Sequence, residues 1–229
     1  MWWYRAAHAR VLDALRARPG TPAPLLDAGC GTGGFLARHA ASFPGRTAFG
    51  LDYHAGAAAR AGAKAGLPTL AGDINILPFT DAAFGAAVSI DVLSHAAVTP
   101  ARALAELKRV LAPGASLVLN LPAYDWMLSA HDLRVHNVRR FTPRTATDLL
   151  ADAGFIEVRA RFWNSLLFPL MVLQRKFLAR RDDAPSDVTD FPPWLDAGLH
   201  AVTAAERALA RLGLPLPFGG SVLVLATRP

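Results

Sequence analysis

The sequence predicts an α/β fold built on a doubly wound, largely parallel sheet, and three observations carry that prediction. Short apolar runs bounded by turn residues alternate with alanine-rich helical stretches from residue 24 to about residue 121. Three of the runs, PLLDAG (24–29), TAFGLD (47–52) and AAVSID (86–91), finish in or beside a carboxylate. A glycine-rich loop separates the first run from the helix after it. Binding groups in such sheets collect at the carboxyl ends of the strands, where Asp27, Asp52 and Asp91 fall.

The elements follow in order. Residues 2–17 read as an amphipathic helix with Val11, Leu12 and Leu15 on one side. After the three carboxylate-bearing strands, ALAELKRVLAPGASLVLNLP gives a helix, a turn at Pro113-Gly114 and a strand over 116–121. Thr142 as N-cap and Pro143 in the first helical position start a helix that Gly154 stops. FIEVRARFW (155–163) alternates as a strand, and SVLVLATR (221–228) is the last one. Between them lie an apolar-basic stretch (165–181), an acidic connector with prolines (182–193) and a helix at about 194–212. The run LLFPLMVL (166–173) is broken by Pro169 and falls short of the roughly 20 residues that a membrane span needs.

At 229 residues the chain fits a single domain spanning 1–229. Its core is expected at about 20–163 and 219–229, with lid elements at about 123–141 and 164–213. The one cysteine excludes a disulfide framework and a multi-thiolate metal site, and no metal is expected. The opening MWWYRAAHAR lacks the apolar run of a signal peptide, so the expected location is cytoplasmic. Lys and Arg number 24 against 18 Asp and Glu, a net charge of +6. Residues 131–181 hold ten basic and four acidic side chains, which is the whole surplus. That segment points to an anionic acceptor, or to an anionic surface that presents it.

The loop in LLDAGCGTGGF satisfies two patterns. Gly29-x-Gly31-x-x-Gly34 fits a dinucleotide turn, and Asp27-x-Gly29-x-Gly31-x-Gly33 fits a loop associated with S-adenosylmethionine. Asp27 weighs for the second, because a carboxylate there repels a diphosphate and attracts an ammonium. Asp52 lies 21 residues beyond Gly31, where a carboxylate accepts both hydroxyls of a ribose. In GDINILPF, Asp73 can accept from an adenine amino group, and the Ile74 backbone can meet the ring edge.

Together LLDAGCGTGGF, GLDYH, GDINILPF, SIDVLSH and ELKRVLAPGASLVLNLP, over about residues 24–122, resemble the class I S-adenosylmethionine-dependent methyltransferases. The likeness is strongest to the small-molecule branch similar to ubiquinone and menaquinone biosynthesis methyltransferases. The resemblance implies a Rossmann-like, seven-stranded sheet whose last strand is antiparallel, with helical lid elements. It also implies S-adenosylmethionine as cofactor, with Asp27, Gly29, Cys30, Gly31 and Gly33 at the methionine end. Asp52 then serves the ribose and Asp73 with Ile74 the adenine, and Tyr53 and Asp91 are further cofactor-binding candidates. Ala115 departs from the family, which usually has a second glycine after Pro113-Gly114.

On the acceptor side, Asp91 and His95 follow the fourth strand, and no N-P-P-Y run is present there. The stretch AYDWMLSAHDLRVHNVRRFTP (123–143) places Asp132 and His136 at i, i+4 spacing, so on a helix the carboxylate could orient the imidazole. It resembles a pattern in methyltransferases associated with polysaccharide and lipid-linked sugar pathways. His136 is the expected base for an acceptor hydroxyl, with Asp132 and His95 beside it. Arg139 or Arg140 is the expected clamp for an anionic group, and Tyr124 a further acceptor contact. A structural network closing the lid is the alternative for His131, Asp132, His136 and the arginines. Trp2, Trp3 and Tyr4 could cap the adenosine site or anchor the chain start.

The leading expectation is methyl transfer to oxygen of a small-molecule or lipid-linked acceptor, with an anionic membrane surface as a possible partner. A nicotinamide-dependent oxidoreductase, an RNA methyltransferase and a non-catalytic cofactor-binding subunit are the alternatives. The basic segment is also apolar and lacks the interleaved aromatic-glycine pattern of a single-strand nucleic-acid surface, which argues against nucleic acid as partner.

Overall fold

The computed structural model describes residues 1–129, 132, 134–174, 191–214 and 216–229. Helix α1 (Trp2–Ala17) precedes β1 (Leu25–Ala28), α2 (Gly34–Ser42), β2 (Ala48–Asp52), α3 (Ala55–Ala65) and β3 (Thr69–Ala71). Then come β4 (Phe84–Ile90), α4 (Pro100–Val110) and β5 (Leu111–Pro122). After a 3-10 turn (Asp125–Met127) follow α5 (Pro143–Asp152), β6 (Ile156–Trp163), α6 (Phe168–Leu173), α7 (Pro193–Arg211) and β7 (Ser221–Thr227).

The seven strands form one sheet in the order β3-β2-β1-β4-β5-β7-β6. Neighbours from β3 through β5 run parallel, and β7 is antiparallel to both β5 and β6. The pleat sorts side chains between two cores. Leu26, Leu117, Leu119, Leu121, Val222 and Val224 face Leu104 and Leu107 of α4 and Leu150 of α5. Leu25, Val88 and Val118 face Val11 and Leu15 of α1 and Phe35 and Leu36 of α2. The buried positions of α4, Ala103, Leu104, Leu107 and Val110, keep helical spacing, so one stripe meets the sheet. Thr142 and Thr145 cap α5 reciprocally, as the Thr142-Pro143 start predicts.

Two local expectations change. The strand does not wait for the Pro113-Gly114 turn, because β5 already begins at Leu111, opposite Phe84 of β4. Pro169 does not break the apolar run but sits in the first turn of α6, where its missing N–H is no loss. Among the described residues no helix is long and apolar enough to cross a membrane. His131, Arg175, Lys176, Arg180, Arg181 and residues 182–190 of the acidic connector lie outside the described residues.

The N-terminal helix and the last helix are tied together by buried charge. Glu206 of α7 is 0% exposed, and its carboxylate has four donors. Oε1 accepts from Arg10 Nη2 (2.9 Å) and Asn164 N (2.6 Å), and Oε2 from Ser165 N (2.6 Å) and Leu166 N (2.9 Å). Arg10 also donates to Thr203 O and lies 4.5 Å above the Trp163 ring. A second tie joins Asp196 to Arg5 (2.7 Å) and to the Trp2 backbone N–H (2.5 Å). These contacts tie α1, which packs on the same face of the sheet as α2, to α7 and to the turn after β6.

Glu206→Ala leaves Arg10 charged and unpaired in the interior and three N–H groups without an acceptor. Urea unfolding should show a loss of about 3–5 kcal/mol. The double variant Arg10→Met/Glu206→Leu should recover only part of it, since the three N–H groups stay orphaned. Full recovery would show that the ion pair alone matters.

Candidate functional site

The glycine loop folds back onto the end of β2. Gly29 and Cys30 N–H donate to Leu51 O at 2.7 and 2.9 Å, and Gly31 N–H donates to Asp52 Oδ2 at 2.8 Å. Gly33 has φ +79° and caps α2. A Cβ there would fall 2.6 Å from Ala61 Cα and 2.8 Å from its carbonyl oxygen, so α3 can pack on the loop only over glycine. Gly31 differs, since a Cβ on it would meet nothing within 4 Å. The loop is tight against the protein on one side and open on the other.

Beside this turn Asp27 is 1% exposed, and its Oδ2 has no hydrogen-bond partner among the described residues. Burial, with Asp52 nearby, pushes its carboxyl up to about 8. An ammonium group is the complement of such an oxygen, so the turn and its acid fit the methionine end of S-adenosylmethionine. Burial, Asp27 and Asp52 push the Cys30 thiol up to about 12, which removes it as a nucleophile.

Asp52 stands at the end of β2, holding Gly31 N–H on one oxygen and His54 N–H (2.9 Å) on the other. Each oxygen keeps a second lone pair for a ribose hydroxyl. Tyr53 beside it is 72% exposed. Asp73 Oδ1 accepts from the backbone and side-chain nitrogens of Asn75, both at 2.8 Å, and the Ile74 side chain is buried in the core. Asn75 continues the chain by donating to Ala97 O and accepting from Thr99 N–H. The turn at Asp73 is thereby tied to the loop after β4.

Asp91 follows β4 with φ +58°, a region that disfavours a side chain. It accepts from Asn120 Nδ2 at 2.9 Å, and Asn120 Oδ1 accepts from Trp163 Nε1 at 2.8 Å. Burial dominates over Asn120 and Arg140 and pushes the Asp91 carboxyl up to about 7. Trp163 stacks on Trp3 with ring centroids 6.0 Å apart, and Trp3 meets Tyr4 edge-on. Burial and the charge of Asp91 raise the Tyr4 hydroxyl pKa. The N-terminal aromatics therefore belong to the Asp91 end. Asn120 and Trp163 are functional candidates not singled out from sequence; the signal was an Asn in the otherwise apolar strand SLVLNL.

The acceptor-side residues are arranged differently from expectation. Asp132 and His136 do not form a dyad. The chain has left the helix by His136, whose φ is +58°, and the Asp132 carboxylate takes Arg140 Nη2 (2.5 Å) and the Ser129 N–H and hydroxyl. Arg140 is buried in that pair and also donates to Ala123 O, so it is not an acceptor clamp. Arg139 directs Nη1 at the carbonyls of Leu93, His95 and Val98 (2.8–3.0 Å) and brackets the loop after β4 instead of reaching for an anion. These bonds join Asp132 to Arg140 and Arg139 to the loop after β4, while His131 lies outside the described residues.

The bracket brings His95 and His136 together, with ring centroids 6.0 Å apart and Ala96 N–H on His136 O. Burial, then His136 and His54, lower the His95 pKa, so its imidazole is neutral at neutral pH. Tyr124, with φ +60°, stacks on Phe162 at 5.0 Å and meets Trp126 and Phe168. Among the described residues no group of three or more metal-ligating side chains forms.

Residues 26–119 match the family described as methyltransferase domain. An uncharacterised 37.1 kDa protein in a Streptomyces fradiae transposon is 38% identical over 159 residues, 66% of this chain and 44% of that protein. The trans-aconitate 2-methyltransferase of Deinococcus radiodurans is 35% identical over 151 residues, 66% of this chain and 54% of that one. The chain spans about half the length of these curated relatives. The geranyl diphosphate C-methyltransferase of Streptomyces coelicolor A3(2) superposes with a TM-score of 0.62 at 16% identity, covering 96% of this chain and 79% of that one, a likeness of fold. With the matched family, the strand order and an orphaned acid beneath an open glycine turn in agreement, the methyltransferase domain over residues 26–119 belongs to the class I S-adenosylmethionine-dependent methyltransferases, whose methyl donor is S-adenosylmethionine.

Proposed function

We propose that this protein transfers a methyl group from S-adenosylmethionine to an oxygen of a small-molecule or lipid-linked acceptor. The observation that carries the reading is the unpartnered Asp27 oxygen buried beside a turn whose outer side is open. Asp27 with Gly29, Cys30, Gly31 and Gly33 holds the methionine end, Asp52 and Tyr53 the ribose, and Asp73 with the Ile74 backbone the adenine. S-adenosylmethionine supplies an electrophilic methyl on a sulfonium, so the protein contributes alignment and exclusion of water.

Asp91, held by Asn120, lines the site where donor and acceptor meet. His95 and His136 face the acceptor, and neutral His95 is able to accept a hydroxyl proton. Asp132, Arg139 and Arg140 act as positioning residues that hold this loop. The aromatic group of Tyr124, Trp126, Phe162 and Phe168 gives the acceptor an apolar surface. Exposed Leu166, Leu170 and Leu173 beside it suit presentation of a lipid-linked acceptor at a membrane surface. The relative named for trans-aconitate supports a small acceptor.

The Asp27 role has a pH signature. Its carboxyl in the empty site sits near 8, above the ordinary range, so it is mostly protonated below that pH. A bound ammonium favours the ionised form, and affinity is therefore lost as pH falls through 8. Calorimetry with S-adenosylhomocysteine should show affinity weakening by up to about tenfold per unit from pH 8 to pH 6. Asp27→Asn should bind more weakly and lose that dependence. A flat wild-type profile would remove Asp27 from the methionine site.

The acceptor side is tested with labelled S-adenosylmethionine and fractionated cell extract. Label should enter a lipid or small-molecule fraction rather than RNA. His95→Ala should then lower turnover by about 10²-fold or more with cofactor affinity intact. Unchanged turnover in both His95→Ala and His136→Ala would exclude a histidine base.

A further inference from the structure

A cavity of about 940 Å³ lies away from the glycine loop, between the second half of α1, the C-terminal end of α7 and edge strand β6. Its volume is in the range of small-molecule sites, roughly 300–1,000 Å³. Its apolar floor includes Trp163, Leu223, Leu214 and Ala14.

The polar lining is unbalanced. Asp13 stands among three guanidinium groups, at 2.6 Å from Arg211, 3.4 Å from Arg16 and 3.5 Å from Arg207. One carboxylate cannot neutralise three cations, so among the described residues the cluster carries an excess of two. Arg161 also lines the cavity, is exposed and has no ion-pair partner among the described residues. Arg10, at the inner end, is neutralised by Glu206. Apolar walls under a cationic rim are complementary to a molecule with a hydrocarbon body and an anionic head. Because α1, α7 and β6 bound the space on three sides, it accepts an individual chain rather than a flat bilayer face.

We propose that this groove binds a single amphipathic anion, an alkyl or acyl chain ending in a phosphate or carboxylate, with the head among Arg16, Arg161, Arg207 and Arg211 and the chain along Trp163 and Leu223. The site is separate from the cofactor turn and does not depend on the methyl-transfer reading.

The test is calorimetric titration of the whole chain with monomeric dodecyl phosphate, with dodecyl maltoside and inorganic phosphate as the chain-only and head-only probes. Dodecyl phosphate should bind at least tenfold more tightly than either. Arg161→Glu and, separately, Arg211→Gln should each weaken it by about fivefold or more, with S-adenosylhomocysteine affinity and Tm unchanged. Equal binding of the neutral and anionic detergents overturns the proposal, as does wild-type affinity in both variants. Association only with vesicles of anionic phospholipid, without monomer binding, overturns it in favour of a membrane-facing surface. If Arg161→Glu lowers Tm, Arg161→Gln carries the same comparison.

Discussion

The arrangement depends above all on the buried carboxylate of Glu206. It accepts one side-chain and three backbone N–H groups, two on each oxygen, which saturates it without exposing it to water. A lone buried charge would be strongly unfavourable, whereas four charge-assisted bonds hold three segments in one geometry. Those segments are α1, the turn after β6 and α7. Arg10, oriented by this bond, sits on Trp163, and Trp163 in turn fixes Asn120 and so Asp91. The conformation of the acid beside the cofactor turn is thus set through packed groups by an acid on the last helix. A change at Glu206 therefore acts on the site as well as on the fold.

The site itself stores unfavourable electrostatics, which the rest of the fold partly offsets. Asp27 and Asp91 have pKa values raised to about 8 and about 7, so in the empty protein both favour the protonated state and weaken the fold as pH rises from about 4 toward 8. His8 and His39 are buried with their pKa values lowered to about 4, mainly by burial. The unfolded chain takes up their protons first, so they weaken the fold as pH falls from about 6.5 to 4. The two pairs have opposite slopes over nearly the same window. Binding of a cation beside Asp27 removes one of the acid contributions and leaves the histidines less opposed. Occupancy of the site and the pH response of stability are in this way coupled.

Much of the architecture was legible because it rests on short-range patterns. Helix α1 and strands β1, β2, β4, β6 and β7 emerge within one or two residues of the expected limits, since apolar alternation and turn residues mark them directly, whereas β5 starts ahead of the Pro113-Gly114 turn that was expected to precede it. The glycine turn and its three acids could be read because each needs only its own strand end. Asp132 and His136 failed for a physical reason: i, i+4 spacing implies contact only while the chain stays helical, and the turn at His136 ends that condition. Arg140, eight residues further on, then meets Asp132 from across the turn. The arginine groove was not legible at all, because α1, β6 and α7 supply its walls from three distant parts of the chain.

The basic surplus takes on a different meaning once its members are placed. Arg139 and Arg140, which looked like an anion clamp, act on carbonyls and on Asp132, so they stiffen the loop after β4 and the turn at Asp132. Arg161, from the same segment, lies on edge strand β6, where no further strand covers it. There it joins cations that come from outside the segment, on α1 and α7, around the single acid Asp13. The described cations of that segment are therefore divided by the fold. Arg140 is neutralised by Asp132, and Arg161 is combined with remote arginines into a surface where, among the described residues, cations outnumber acids. The distinction follows from burial: the buried Arg140 guanidinium must be paired to be tolerated, whereas exposed Arg161 at the sheet edge can keep its charge in water.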